Sequence, residues 1–262
     1  MSRVLTIARV VWLEMIRRKD LYVLLILLAA LLMVLISVNV YGLGSVARYV
    51  KDVGFLLTWL CAWFFAIGAA GRQLPQEEAR GTIYSLLAKP VTRIELLLGK
   101  WFGAWTIAVA ATAVFYLLVM GVTHLRGGHF VSGSLIQAFL LHAVNLGMVT
   151  ALALAFSTRT TYGAAASLTY VTTLASFVLA PQIPVLLTQE TGIRAQALLV
   201  LYYALPHFEL FDLRQRVVHD WGAAPWSMVS VIVVYGILWI VVFLGLAWFG
   251  YRRKRFSRGA QL

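Results

Sequence analysis

The sequence predicts an all-α integral membrane protein with six transmembrane helices and two shorter helices outside the bilayer. Of its 262 residues, 61% are hydrophobic and only 12% are charged, whereas soluble domains carry roughly 25% charged residues. Six charge-free stretches also reach the roughly 20 apolar residues that a helix needs to cross a bilayer. A chain of this length cannot bury so many apolar side chains within itself, so we expect many of them to face lipid.

The six predicted spans alternate with polar segments, two of which are long. The spans are residues 21–41, 53–71, 101–121, 134–156, 162–187 and 227–250, and the long segments are residues 72–100 and 188–226. Pro181 and Pro184 are expected to break the outer end of the fifth span, because proline removes a backbone donor and clashes with the preceding helical turn. No internal repeat or low-complexity tract divides the chain, so residues 1–262 are predicted to form one membrane domain.

Basic residues set the predicted orientation. With the N-terminus in the cytoplasm, sixteen of the 22 Lys and Arg residues fall on the cytoplasmic side, as the positive-inside rule requires. Both termini are therefore predicted to be cytoplasmic. We attribute the net charge of +12 to cytoplasmic loops that face anionic lipid rather than to nucleic-acid binding.

Residues 4–18 show the pattern of an amphipathic helix. Apolar residues recur at helical spacing, with Trp12 among them, and basic residues such as Arg9 and Arg17 lie on another side. Such a helix suits the cytoplasmic interface of a membrane. The alternative is a simple cytoplasmic extension of the first span.

The loop between the second and third spans contains sequence signals for the start and end of helices. Glu77 and Glu78 favour the positive N-terminal end of a helix, and Pro90 disfavours the helical conformation in the residue before it. Thr92 and Glu95 have the spacing of a capping box, which begins a second helix that runs into the third span. The loop is therefore predicted to be a rigid projection on the cytoplasmic face.

This loop resembles the cytoplasmic motif of ABC-2-type permeases. The resemblance is carried by a glutamate, a Gly-Thr pair, a Leu pair, a Pro-x-x-Arg turn and a Gly-Lys pair: Glu78, Gly81, Thr82, Leu86, Leu87, Pro90, Arg93, Gly99 and Lys100. The number of spans, the N-terminal helix and the long outer segment agree with that family as well. Residues 205–211 are also similar to a segment in the branch that contains the permease of nitrous-oxide-reductase maturation transporters.

The resemblance implies that the loop holds a coupling helix, which rests on a separate ABC ATPase. The coupling residues that it implies are Glu77, Glu78, Arg80, Gly81, Thr82, Pro90, Arg93, Gly99 and Lys100. Charged contacts with the ATPase are expected for Glu78, Arg80 and Arg93, and Gly81 and Pro90 are expected to shape the turn. The alternative is a loop stabilised by its own salt bridges and by lipid phosphates.

The sequence contains no G-x-x-x-x-G-K-[ST] phosphate loop, so ATP is expected to bind elsewhere. ATP and Mg are assigned to a partner ATPase in two copies, while this chain is expected to be non-catalytic and to need no cofactor. A second permease copy or a paralogue would complete the transporter, which is expected in the bacterial cytoplasmic (inner) membrane.

Four polar residues inside the predicted spans are further candidates: His142, Asn145, Thr169 and Thr173. Polar groups at membrane depth either line a path or form hydrogen bonds between helices, and for His142 and Asn145 the second role is favoured. No metal site is predicted, because His124 and His129 have neither cysteine nor acidic residues beside them.

The predicted function is that of a permease subunit that couples ATP hydrolysis on a separate subunit to export or flipping of an unidentified substrate. The alternative is an ATP-driven, force-transmitting adaptor. It would act through residues 188–226 on an extracytoplasmic protein without moving cargo. Neither function involves nucleic acid.

Overall fold

The computed structural model describes residues 3–37, 46–79, 81, 92–125, 127–252 and 254. Over this part of the chain the structure is almost entirely helical and contains no strand. The α-helices in chain order are α1 Arg3–Arg17, α2 Asp20–Ser37, α3 Val46–Gly71, α4 Gln73–Ala79, α5 Arg93–Leu125, α6 Ser132–Ser157, α7 Tyr162–Leu179, α8 Ile183–Leu187, α9 Ile193–Ala204, α10 Arg214–Val218 and α11 Trp226–Arg252.

Five helices in the described residues are long and apolar enough to cross a membrane. They are Ala47–Ala79, Arg93–Leu125, Ser132–Ser157, Tyr162–Leu187 and Trp226–Arg252, and they contain the second to sixth predicted spans. The first predicted span corresponds to α2, whose apolar part, Tyr22–Val34, is shorter. Its predicted outer end, residues 38–41, lies outside the described residues, so the sixth crossing stays a prediction.

The predicted break at the outer end of the fifth span is present. Helix α7 ends at Leu179, a 3-10 turn covers Ala180–Gln182, and α8 then begins at Ile183. Pro181 lies in the first turn of the 3-10 helix, and Pro184 lies in the first turn of α8. The backbone amide that proline lacks would have no partner within the helix at these positions, so proline destabilises the helix least there.

Helix α6 lies at the centre of the bundle. Every residue from 145 to 154 is buried, as expected for a helix that is apolar on all sides. By contrast, only 22% of the most apolar stretch is buried in the span Tyr162–Leu187 and in Trp226–Arg252. The outward faces of these two helices are therefore available to lipid or to another subunit.

The N-terminal helix packs against α5 through two glycines. A Cβ on Gly103 would lie 2.8 Å from the Cβ of Val11 and 3.0 Å from the Ala8 backbone, and a Cβ on Gly99 would lie 2.7 Å from that of Ile7. Most of the predicted apolar stripe of α1 therefore faces protein, although Ile16 is exposed. The position of α1 in the membrane interface stays a prediction.

The predicted capping box at the start of α5 is confirmed by its hydrogen bonds. The amide of Thr92 donates to the Glu95 carboxylate at 2.8 Å, and the amide of Glu95 donates to the Thr92 hydroxyl at 3.2 Å. Two amides that have no partner within the helix are satisfied in this way.

The segment between α8 and α11 folds back onto the bundle. Helix α9 has no buried residue. A 3-10 turn at Phe208–Phe211 then buries both phenylalanine side chains completely. This segment is therefore packed into the end of the bundle opposite α4.

Candidate functional site

Most of the predicted coupling residues that the structure describes meet at one end of the bundle. This end holds α4, the start of α5 and the end of α11, and we call it the basic end. Its side chains form ion pairs and hydrogen bonds that join parts of the chain far apart in sequence.

Lys100 and Glu77 form the most buried ion pair of the basic end. Only 3% of the Lys100 side chain is exposed, and its Nζ lies 2.6 Å from the Glu77 carboxylate. The same Nζ donates to the Gln73 side-chain oxygen at 3.3 Å. Because a buried ammonium is stable only when it is paired, these contacts fix α4 to α5.

Glu78 is paired with the other end of the described chain. Lys254 lies 2.6 Å from the Glu78 carboxylate, and both side chains are about three-quarters buried. Lys254 also donates to the Thr158 carbonyl oxygen at 3.0 Å. One cation therefore connects α4 with the residues after α11 and with the turn between α6 and α7.

Arg93 begins α5 and binds the end of α11. Its guanidinium donates to the carbonyl oxygens of Tyr251 and Arg252, at 2.8 Å in each case, and lies 5.7 Å from the centre of the Tyr251 ring. A cation at the C-terminal end of a helix is favoured by the free carbonyls and the helix dipole. Arg93 thus joins two spans rather than pointing away from the bundle.

The connection between α1 and α2 reaches α4 as well. Arg18 donates to the Gln76 side chain at 2.9 Å and lies 3.6 Å from Glu14. Helix α4 is therefore held by Arg18 after α1, by α5 and by Lys254 after α11.

The motif glycines have separate structural roles. Gly81 has a φ of 68°, in the left-handed region that glycine adopts without strain, and its amide donates to the Glu78 carbonyl at 3.1 Å. Gly99 instead allows the close contact between α5 and α1 described above. Arg80, Thr82 and Pro90 lie outside the described residues, so their predicted roles stay predictions.

The opposite end of the bundle is held by contacts between the folded-back segment and the long helices. Ser176 donates to the Pro206 carbonyl, and Gln137 and Ala224 exchange two hydrogen bonds of 2.8 Å. Lys51, which is 3% exposed, lies 2.9 Å from Asp220.

His142 and Asn145 lie in contacts between helices. The imidazole of His142 stacks on Trp59 with 4.3 Å between ring centres, and its Nδ1 lies 3.4 Å from the Tyr116 hydroxyl. The Asn145 side-chain oxygen accepts from the Trp63 indole at 2.9 Å. Both side chains are fully buried, as the interhelical role favoured by the sequence requires.

Thr169 and Thr173 are also fully buried. Each donates to a carbonyl oxygen of its own helix at 2.7 Å, Thr169 to Ala165 and Thr173 to Thr169. Their hydroxyls are thus satisfied locally, as is common for threonine inside membrane helices. Within the described residues, no group of three or more His, Cys, Asp or Glu side chains could hold a metal ion.

Long apolar helices around a buried central helix define a multi-pass membrane protein. Over residues 5–256 the chain matches a family described as ABC-2 family transporter protein. It therefore belongs to the ABC-2 family, the membrane permeases of ABC transporters. Membership implies association with an ABC ATPase and dimerisation in the membrane. No curated protein matches the chain.

Several residues of the basic end were not predicted as functional. Lys254 was counted only as one of the basic residues after the last span, and Gln73, Gln76 and Arg18 were given no role. The signal for Lys254 is weak, since its partner Glu78 is 176 residues away. A pair at that separation can be found only from the folded arrangement.

Proposed function

We propose that this chain is the permease subunit of an ABC transporter that exports or flips its substrate. ATP and Mg bind a separate ATPase, present in two copies, and this chain is not itself catalytic. Two permease subunits form the membrane pathway in the bacterial cytoplasmic membrane, with the basic end and both termini facing the cytoplasm.

The ion-pair network of the basic end is the observation that carries this proposal. Helix α4 lies in the loop for which the resemblance implies an ATPase contact, and its side chains are bonded to α5, to Arg18 after α1 and to Lys254 after α11. A displacement of α4 therefore acts directly on several long helices. An isolated surface loop could not transmit such a displacement.

The structure suggests different roles for the charged coupling residues. Glu78 and Arg93 were both expected to contact the ATPase, but both are engaged within the chain. We propose that these two residues transmit movement from α4 and α5 to α11. The contact with the ATPase is assigned to the exposed side of α4, where Ala79 is exposed, and to the residues that follow it, including Arg80.

Co-expression with candidate ATPase subunits tests this proposal. Co-purification and ATPase activity are compared for the wild type, Glu78→Lys, Lys254→Glu and the double charge swap. We expect each single change to reduce ATPase activity of the complex and the double swap to restore part of it. Restoration is expected to be partial, because Lys254 also donates to the Thr158 carbonyl.

Two results would change this assignment. If the swap restores nothing although Glu78→Lys abolishes assembly, Glu78 contacts the ATPase directly. If no ATPase binds, or if the reversals change nothing, the loop is only a connector and the coupling proposal fails. Arg194→Glu is the matched control, because Arg194 is 82% exposed at the opposite end of the bundle.

A force-transmitting adaptor is the second candidate function. It is favoured by the folded-back segment, which is bonded to α3, α6 and α7 and includes α9, none of whose residues is fully buried. A photo-crosslinker in place of Tyr203, which is 72% exposed, would distinguish the two. Capture of one extracytoplasmic protein that depends on ATP hydrolysis supports the adaptor, and reconstituted transport without such a protein supports the permease.

A further inference from the structure

A groove opens on the side of the bundle, beside the connection between α1 and α2. It has a volume of about 240 Å³. Met15, Val23 and Leu24 form one wall, and Phe64, Phe65 and Ala69 form the other. Val23 and Phe64 are 59% and 55% exposed, so the groove opens away from the bundle rather than into it.

Among the described residues that line this groove, Arg72 is the charged one. It follows Gly71, the last residue of α3, and therefore lies where the apolar span ends. Its Nε donates to the Gly68 carbonyl, and a terminal nitrogen lies 3.4 Å from the Tyr162 hydroxyl. These contacts hold the guanidinium against α3 and the start of α7 before any ligand binds.

The chemistry of the groove is that of an amphiphile site. Water in the apolar part would lose hydrogen bonds, so at membrane depth an acyl chain is the favoured filling. At the other end, a guanidinium matches the geometry and charge of a phosphate. Arg17 and Lys19 are exposed at the same connection but do not line the groove.

We propose that this groove binds an anionic phospholipid, with one acyl chain between α2 and α3 and the phosphate against Arg72. The site requires only that the chain lies in a bilayer, so it does not depend on the permease function proposed above. A bound lipid would fill the space between the connection of α1 and α2 and the end of α3, next to α4.

Lipid retention by the purified, delipidated protein tests the site. Phosphatidylglycerol and phosphatidylcholine with identical acyl chains are titrated, and bound lipid is counted by native mass spectrometry. We expect about fivefold stronger retention of phosphatidylglycerol, the attraction that one basic residue near a membrane surface supplies. Arg72→Gln should bring the ratio of retained phosphatidylglycerol to retained phosphatidylcholine close to one, and Arg72→Lys should leave an intermediate ratio.

Two further variants separate the groove from general basic charge. Val23→Trp fills the groove without changing Arg72, so it should reduce retention of both lipids. Arg17→Gln removes an exposed charge outside the groove lining and should keep the preference. Each variant is first checked for the elution profile and thermal midpoint of the wild type, and Leu24→Trp replaces Val23→Trp if the latter fails this check.

Three results would overturn the proposal. The first is equal retention of the two lipids by the wild type. The second is a loss of the preference for phosphatidylglycerol in Arg17→Gln that is as large as the loss in Arg72→Gln. The third is unchanged retention of both lipids by the groove-filling variant. A second copy of the chain is the competing occupant. It is identified by an inter-chain disulfide of Val23→Cys, formed in phosphatidylcholine bilayers in a Cys61→Ala background.

Discussion

Breaking the Lys100–Glu77 pair should destabilise the protein more than any exposed ion pair does. Lys100→Met removes the cation that lies 2.6 Å from the Glu77 carboxylate and donates to Gln73. Removing one member of a buried pair costs about 3–5 kcal/mol. Since 24% of the Glu77 side chain remains exposed, water compensates in part, and we expect a loss of about 2–3 kcal/mol.

The double variant Lys100→Met/Glu77→Gln removes both charges. Replacing a whole buried pair by uncharged groups is often close to neutral, so its stability should lie within about 1 kcal/mol of the wild type. Together with Glu77→Gln alone, the two variants complete a double-mutant cycle, which gives the interaction energy of the pair. This energy measures how firmly α4 is fixed to α5.

The assay is the thermal midpoint of the detergent-solubilised protein, followed by size-exclusion chromatography after heating. For a chain of this size, the expected loss corresponds to a decrease of roughly 5–10 °C. Arg194→Met is the control, because Arg194 is 82% exposed and lies 3.8 Å from Glu190. The reasoning is refuted if Lys100→Met melts within 1 °C of that control, or if the double variant is as unstable as the single one.

Three further variants test other contacts. Gly103→Ala forces α1 away from α5 and should lower the free energy of unfolding by about 1–3 kcal/mol through overpacking. Gly121→Ala is the control in the same helix, because a Cβ at Gly121 would meet open space, and it should change the thermal midpoint little. Gln137→Leu leaves the amide and carbonyl of Ala224 unpaired and should lower the free energy of unfolding by about 1–3 kcal/mol. The thermal midpoint should fall, and residues 188–226 should be cleaved faster by a protease. An unchanged cleavage rate would contradict this prediction. Burial lowers the pKa of the His207 imidazole below its ordinary value of 6.5, so the folded state favours the neutral ring. The contribution of the neutral ring to stability is therefore present above pH 6.5 and is lost as the pH falls towards the lowered pKa. Between pH 7 and 5, the thermal midpoint of the wild type should fall more than that of His207→Asn. If the thermal midpoints of the two proteins fall in parallel, His207 does not make this contribution.

Sequence patterns predicted the elements that local chemistry determines. The capping box of Thr92 and Glu95 and the break at Pro181 and Pro184 depend on residues within one or two turns, and both are present. Span positions also follow from composition alone, because lipid requires continuous apolar helices. Helix α5 begins at Arg93, directly after the predicted cap residue Thr92, and runs into the predicted third span.

The partners of the charged residues could not be predicted in the same way. Glu78 and Arg93 matched a family motif, but the motif does not say whether a charge faces another subunit or its own chain. In the structure both are paired with residues near the end of α11, more than 150 positions away. Likewise, the apolar stripe of α1 predicts an apolar neighbour without saying whether that neighbour is lipid or α5.

Helix α11 connects the two ends of the bundle. It is bound at its last turn by Arg93, and sixteen residues earlier its Tyr235 hydroxyl accepts a hydrogen bond of 3.0 Å from the His207 amide. These positions are about 24 Å apart along the helix at 1.5 Å per residue. No proline, the residue that most often kinks a helix, occurs between them. A shift of α5 that moves the end of α11 must therefore displace the folded-back segment or break one of these bonds. Helix α11 is therefore a direct physical connection between the basic end and the folded-back segment.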